Sequence, residues 1–247
     1  MKFYDREEQL EMLREMRELS YNGYSRLTVV TGRRRIGKTT LIKEAYKDEP
    51  YVYLFVGRKS ESVLCGEFCE EYQAKTGAFV PPMSVFRDVF RFLMEEGKRR
   101  KYTLVFDEFQ NFLEVNPSIY SDIQNWWDRY QKESHVNMVV SGSVYSLMEK
   151  LFKNRKEPLY GRQDSTIKLQ AFPTSILKQI MEDNAPGYSN DDLLALFTFT
   201  GGIPKYVEFF MDVKATTVKK MIARICKEDS PLIEEGRKLL IQEFGKK

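Results

Sequence analysis

Three cysteines and one histidine in 247 residues leave little for metal chemistry of the thiolate or imidazole kind. Cys65, Cys69 and Cys226 are odd in number and lack the spacing of a disulfide framework, so they read as small buried apolar residues in a reducing compartment. His135 lies in a polar stretch and reads as a solvated loop residue. No apolar run approaches the roughly 20 residues that cross a bilayer, and the charged start MKFYDREEQLEMLREM lacks the apolar segment of a secretory signal. These absences lead to the expectation of a cytoplasmic protein without a membrane partner. A surplus of one charge is missing too. Against 39 basic residues stand 36 acidic ones, a net charge of +3, so DNA binding is not indicated by net charge and would need a local patch.

What is present is a core. Apolar residues make up 42% of the chain and aromatics 13%, which argues against disorder. Asp5 followed by Glu8 has capping-box character, and Leu10, Leu13, Met16 and Leu19 recur at helical spacing, predicting a helix over 5–19 that Asn22-Gly23 ends. Apolar runs at 27–30, 51–56, 103–106, 137–140 and 166–169 then alternate with helical patterns at 39–47, 85–96, 119–132 and 143–152. Continuous rather than alternating apolar runs suit strands buried on both faces, so the prediction is an α/β core of about five parallel strands joined by right-handed crossovers. After Phe172 the pattern is helical only: Pro173 and Pro231 sit at helix starts, the latter behind Ser230, and Asp191 and Asp192 favour another start. The expected domains are a core over 1–172 and a small all-helical domain over 173–247.

The stretch TGRRRIGKTT contains Gly32-Arg33-Arg34-Arg35-Ile36-Gly37-Lys38-Thr39, which fits G-x-x-x-x-G-K-[ST] between a predicted strand and a predicted helix that continues through Thr40. Glycines let the backbone turn several N–H groups toward one anion, and the helix start adds its unpaired donors. Lys38 is placed to reach β- and γ-phosphates, and the Thr39 hydroxyl to bind Mg²⁺. The arginines occupy the variable positions of such a loop and are expected to brace it through nearby carboxylates. A second motif, Thr103-Leu104-Val105-Phe106-Asp107-Glu108, is an apolar strand ending in two acids. Asp107 would hold Mg²⁺, and Glu108 would polarise an attacking water.

Other positions stay open between two readings. Ser141-Gly142-Ser143 either lies beside the phosphates at the carboxyl edge of the sheet or simply caps the next helix. Arg162 is either a surface arginine or an arginine finger. The basic run Lys98-Arg99-Arg100-Lys101 closes a helix, where cations suit the dipole, or touches nucleic acid. Of Trp126 and Trp127, one is expected against the sheet and the other partly exposed.

Taken in order, FYDREE ahead of the first helix, TGRRRIGKTT, LVFDEFQ, VVSGSVYSLM, LYGR and GGIPKYVE resemble the archaeal-type predicted ATPases. That group belongs to the STAND branch of the additional-strand P-loop ATPases, close to AAA+ proteins. The resemblance implies a sheet order of 5-1-4-3-2, ATP as the nucleotide, and Asp107 with Glu108 as the Walker B pair. It implies Ser141 and Ser143 in the sensor-1 region, Arg162 as the finger, Pro204 in a GxP motif facing the nucleotide from the helical domain, and Asp5-Arg6 near the adenine. Relatives usually continue into a winged helix and often a nuclease-like domain, and this chain is expected to stop short of both. The function expected is a nucleotide-dependent switch with slow Mg²⁺-dependent ATP hydrolysis, working with a homo-oligomer or protein partner. The alternative is a nucleotide-loaded DNA-binding module of the replication-initiator or transposition-helper type.

Overall fold

The computed structural model describes residues 1–227 and Ser230. The helix expected at Pro231 and the end of the chain lie outside them. Five strands form one all-parallel sheet in the order β2-β3-β4-β1-β5, which is the expected order read from its other edge. They are β1 (Arg26–Thr31), β2 (Tyr51–Phe55), β3 (Tyr102–Asp107), β4 (Val136–Gly142) and β5 (Ser165–Lys168). The crossovers carry α1 (Glu7–Asn22, ahead of β1), α2 (Lys38–Ala45), α3 (Glu61–Thr76), α4 (Phe86–Glu96), α5 (Phe112–Val115), α6 (Ile119–Tyr130) and α7 (Tyr145–Lys153). Among the described residues, four helices follow β5: α8 (Thr174–Asn184), α9 (Asn190–Thr200), α10 (Pro204–Asp212) and α11 (Val218–Ile225).

By contacts the chain divides into two compact units. One holds Glu7–Gly32 and Lys38–Lys168; the other holds Met1–Arg6, Arg33–Gly37 and the chain from Leu169 onward. In the sheet unit the central strands β3 and β4 are buried along their whole length. The edge strands differ from the expected continuous burial: Tyr51 and Tyr53 of β2 are half-buried, Phe55 is exposed, and β5 buries only Ile167. An edge strand has one covered flank, and these residues alternate accordingly.

An aromatic cluster fixes the end of β3. Phe106, Phe109 and Phe112 are fully buried and meet Phe68, Phe86, Tyr120 and Phe152 at ring-centroid distances between 4.7 and 6.5 Å. Such edge-to-face pairs add about 0.5–1.5 kcal/mol each beyond burial. The two acids at 107 and 108 therefore sit between anchored side chains. Trp127 is buried in the same core, whereas half-buried Trp126 lies under the guanidinium groups of Arg91 and Arg129 at 5.2 and 5.3 Å, dividing the pair as expected.

Three local expectations are corrected. α1 starts at Glu7, and Asp5 and Arg6 ahead of it adopt left-handed backbone (φ 57° and 85°) rather than a capping turn. His135 is half-buried, its N–H donating to Gly97 O at 2.8 Å, because it leads directly into β4. Cys65 and Cys69 are buried, with burial pushing the Cys65 thiol up to about 12, but Cys226 is exposed at the end of α11.

The helical unit has its own core of Leu177, Ile180, Met181, Leu196, Val207, Phe210 and Met221, joined by Tyr4 and Phe172. Pro173 stands at the start of α8 and Pro204 is the first residue of α10, where a missing N–H costs nothing. Among the described residues no helix is long and apolar enough to cross a membrane.

Candidate nucleotide site

β1 delivers the chain to the carboxyl edge of the sheet, where buried Val29 and Val30 give way to Gly32. Gly32 (φ 152°) and Gly37 (φ 93°) take backbone conformations that side chains resist, and Arg35 shares the left-handed region at φ 65°. α2 then begins at Lys38, so the first-turn N–H groups of the helix open toward the loop. Lys38 is only 7% exposed, and its ammonium donates to Gly32 O at 2.9 Å. The lysine folds back onto the loop's own carbonyl.

Beside it the ends of β3 and β4 bring the other groups together. Asp107 pairs across the sheet with Phe55, and Ser141 pairs with Val30, so Asp107, Ser141 and the loop share one edge. The Thr39 hydroxyl donates to Asp107 Oδ2 at 2.9 Å, and the Tyr53 hydroxyl donates to the same oxygen. Ser141 donates to Asp107 Oδ1, which also accepts the Glu108 N–H at 3.0 Å. Glu108 stands in left-handed backbone (φ 55°), a strain of the kind that concentrates at functional sites. Its Oε2 accepts from Ser143 Oγ at 2.7 Å and from Gln110 Nε2. Thus Lys38, Thr39, Asp107, Glu108, Ser141 and Ser143 converge at the carboxyl ends of β1, β3 and β4. Open α/β sheets bind ligands at that edge.

Within the helical unit, Arg33–Gly37 lie with the start of α10. The Lys205 N–H donates to Arg35 O at 3.4 Å, and the Arg35 guanidinium lies 5.6 Å from the centre of the Tyr206 ring. The Arg35 guanidinium therefore meets an aromatic face, and Arg33 and Arg34 are exposed. Gly202 (φ 70°) accepts the Phe172 N–H at 2.8 Å and leaves no room for a Cβ against the Phe172 carbonyl. Arg6 is buried in this unit, its guanidinium donating to Gln170 O at 2.6 Å and lying 5.1 Å from the Phe172 ring centre.

Comparison with known proteins decides the family. Residues 3–210 match the model of an ATPase domain found predominantly in Archaea. The chain belongs to this archaeal ATPase-domain family. An uncharacterised protein of Methanocaldococcus jannaschii, MJECL04, is 27% identical over 210 residues, covering 83% of this chain and 43% of that protein. A second uncharacterised protein of the same organism, MJ0424, is 34% identical over 56 residues, 23% of this chain and 54% of its own length. The chain thus spans about half the length of the curated relatives it matches. Among solved structures, the Walker-type ATPase paby2304 of Pyrococcus abyssi shares the fold with a TM-score of 0.69 at 19% identity, over 98% of this chain and 74% of that one. The ORC2 protein of Aeropyrum pernix, solved as ADPNP–ADP complexes, aligns with a TM-score of 0.64 at 15% identity, over 95% of this chain and 68% of that one.

One predicted site residue of this ATPase domain lies elsewhere. Arg162 forms a two-pronged ion pair with Asp128, Nε to Oδ1 at 2.8 Å and Nη2 to Oδ2 at 2.6 Å, and its Nη1 donates to Pro158 O at 2.6 Å. Two residues on, the Asp164 N–H donates to Leu27 O at 2.8 Å, and β5 then starts beside Thr28. Arg162 is thus at the amino edge of the sheet, on the order of 10 Å along β1 from the phosphate-loop end.

Three residues of the basic run are held by acids. Arg99 and Arg100 pair with buried Glu96, and Lys98 pairs with Glu133. Sequence reasoning missed Tyr53 and Gln110. Nothing marks Tyr53 within an apolar run, but Gln110, an amide two residues after the acid pair, was a readable signal.

Proposed function

We propose that the chain binds ATP at the carboxyl edge of its sheet and hydrolyses it slowly with Mg²⁺, acting as a nucleotide-dependent switch. The observation that carries this reading is the convergence of Lys38, Thr39, Asp107 and Glu108 at the carboxyl edge of the sheet, beyond β1 and β3 on either side of β4. Membership of the ATPase-domain family supports it, as does the ADPNP–ADP state of the Aeropyrum pernix neighbour. Loop residues Gly32–Thr40 cradle the phosphates, and Lys38 exchanges the Gly32 carbonyl for phosphate oxygens as a compact point charge. In this reading the helical domain responds to the bound nucleotide through the segment that holds Pro204. Arg6, buried and with left-handed backbone at both itself and Asp5, lies near the base.

Among the described residues no cluster of three or more His, Cys, Asp or Glu could hold a metal. A phosphate-loop cation does not need one, since a hydroxyl, one carboxylate and phosphate oxygens are its usual ligands. Thr39 and Asp107, oxygen donors 2.9 Å apart, fit a hard cation of this kind. When bound, Mg²⁺ would offset negative charge on the β- and γ-phosphate oxygens. Glu108 takes the proton of the attacking water, and Ser141 holds Asp107 in place. Ser143 and Gln110 donate to Glu108 Oε2 and hold its carboxylate in place.

Arg162 acts on a neighbouring molecule's nucleotide, since its own chain holds it at the opposite edge of the sheet. The DNA-binding alternative gains little from the basic run, where Lys98, Arg99 and Arg100 pair with the chain's own acids. The test of the site is direct. Lys38→Ala is expected to weaken ATP binding about 100-fold or more in calorimetry; wild-type affinity in that variant sinks the assignment.

A further inference from the structure

Asp107 is held by more donors than the nucleotide reading uses. Thr39 belongs to the phosphate loop and Ser141 to the end of β4, but Tyr53 comes from the middle of the edge strand β2. Its hydroxyl donates to Asp107 Oδ2, the same oxygen that accepts from Thr39. A carboxylate oxygen has two lone-pair sites. Oδ2 is therefore saturated from within the chain, while Oδ1 is taken by Ser141 and the Glu108 N–H. A hydrated divalent cation arriving beside Thr39 must find one of these sites vacated.

Thr39 stands in the first turn of α2, where its hydroxyl serves the cation itself, and Ser141 is fully buried in a central strand. Tyr53 can leave. It is half-buried on a strand paired on one side only, with the Lys43 ammonium 5.7 Å from its ring centre. We propose that Tyr53 is a positioning residue that competes with the hydrated cation for Asp107 Oδ2, so that metal arrival releases a side chain of the edge strand β2. This rests on the nucleotide-site reading above. It gives the switch a local part: a tyrosine hydroxyl on Asp107 in the empty state, turned away in the loaded one.

The discriminating quantity is the ratio of ADPNP affinities measured by calorimetry in Mg²⁺ and in EDTA. Removing a competitor that makes one hydrogen bond to a carboxylate should raise this ratio about tenfold in Tyr53→Phe. Tyr53→Leu, which also lacks the hydroxyl but packs differently, must move the ratio the same way. A hydroxyl that merely supports Asp107 predicts the opposite sign, because its loss would loosen a metal ligand. An unchanged or lower ratio with ADPNP still bound overturns the competition and leaves the nucleotide site standing. A wild-type protein that binds no ADPNP in either buffer overturns both.

Discussion

At the scale of single residues, the site is built from groups that are satisfied before any ligand arrives. Lys38 bonds the Gly32 carbonyl, Asp107 accepts three hydroxyls, and Glu108 accepts a hydroxyl and an amide. None of these leaves a buried charge unpaired, which would cost several kcal/mol. Gly202 shows the same economy in the helical unit. With φ at 70° and the Phe172 carbonyl against the position of a Cβ, Gly202→Ala is expected to lose about 2 kcal/mol or more of stability in denaturant unfolding. Stability equal to wild type would show that the turn relaxes freely. The residue types at 32, 37, 38, 39, 107 and 108 were legible because phosphate and cation chemistry constrains both identity and spacing. Tyr53 was not, because a tyrosine in an edge strand looks the same whether its hydroxyl meets water or a carboxylate.

At the scale of elements, burial and capping decide what the alternation of apolar runs only suggested. The central strands read correctly because both faces are covered; β2 and β5 read as equally apolar, and only their edge position explains their half-exposure. α9 is fixed at its start by a reciprocal cap. The Ser189 hydroxyl accepts the Asp192 N–H while Asp192 accepts the Ser189 N–H. Asp192 also accepts the Val218 N–H at the start of α11, tying two helices to one carboxylate. Ser189→Ala is expected to cost about 1 kcal/mol. The Ser189 backbone N–H, then that of Val218, holds the Asp192 carboxyl below the usual carboxylate range. A depressed folded-state value means its stabilisation is complete above the unfolded value near pH 4 and fades as pH falls through the lower folded one. Acid titration of helical circular dichroism should show this loss in wild type and a flatter curve in Asp192→Asn. The effect is small because the group is exposed. Asp5, which shares positive-φ backbone with Arg6, reads as a cap in the sequence because aspartate serves both helix caps and left-handed turns.

At the scale of the whole molecule, the sheet order followed from the family resemblance that the motifs carry, and the helical segment after β5 from the helical pattern beyond Phe172. The division of the phosphate loop itself, with Arg33–Gly37 grouped by contact with the helical unit, was not legible. It depends on contacts such as Lys205 to Arg35, which join residues far apart in sequence. The place of Arg162 at the amino edge turns an open choice into a prediction about assembly. If it serves a neighbour's nucleotide, ATP turnover per molecule should rise with protein concentration, and Arg162→Ala should abolish that rise; a rate independent of concentration would leave Arg162 as the partner of Asp128 and nothing more.

The central claim is that Glu108 activates water at a phosphate-loop ATP site, and the Glu108→Gln protein tests it most directly. ATP binding by this variant should stay within a few-fold of wild type, while phosphate release falls by about 100-fold or more. Phosphate release at the wild-type rate would contradict the account.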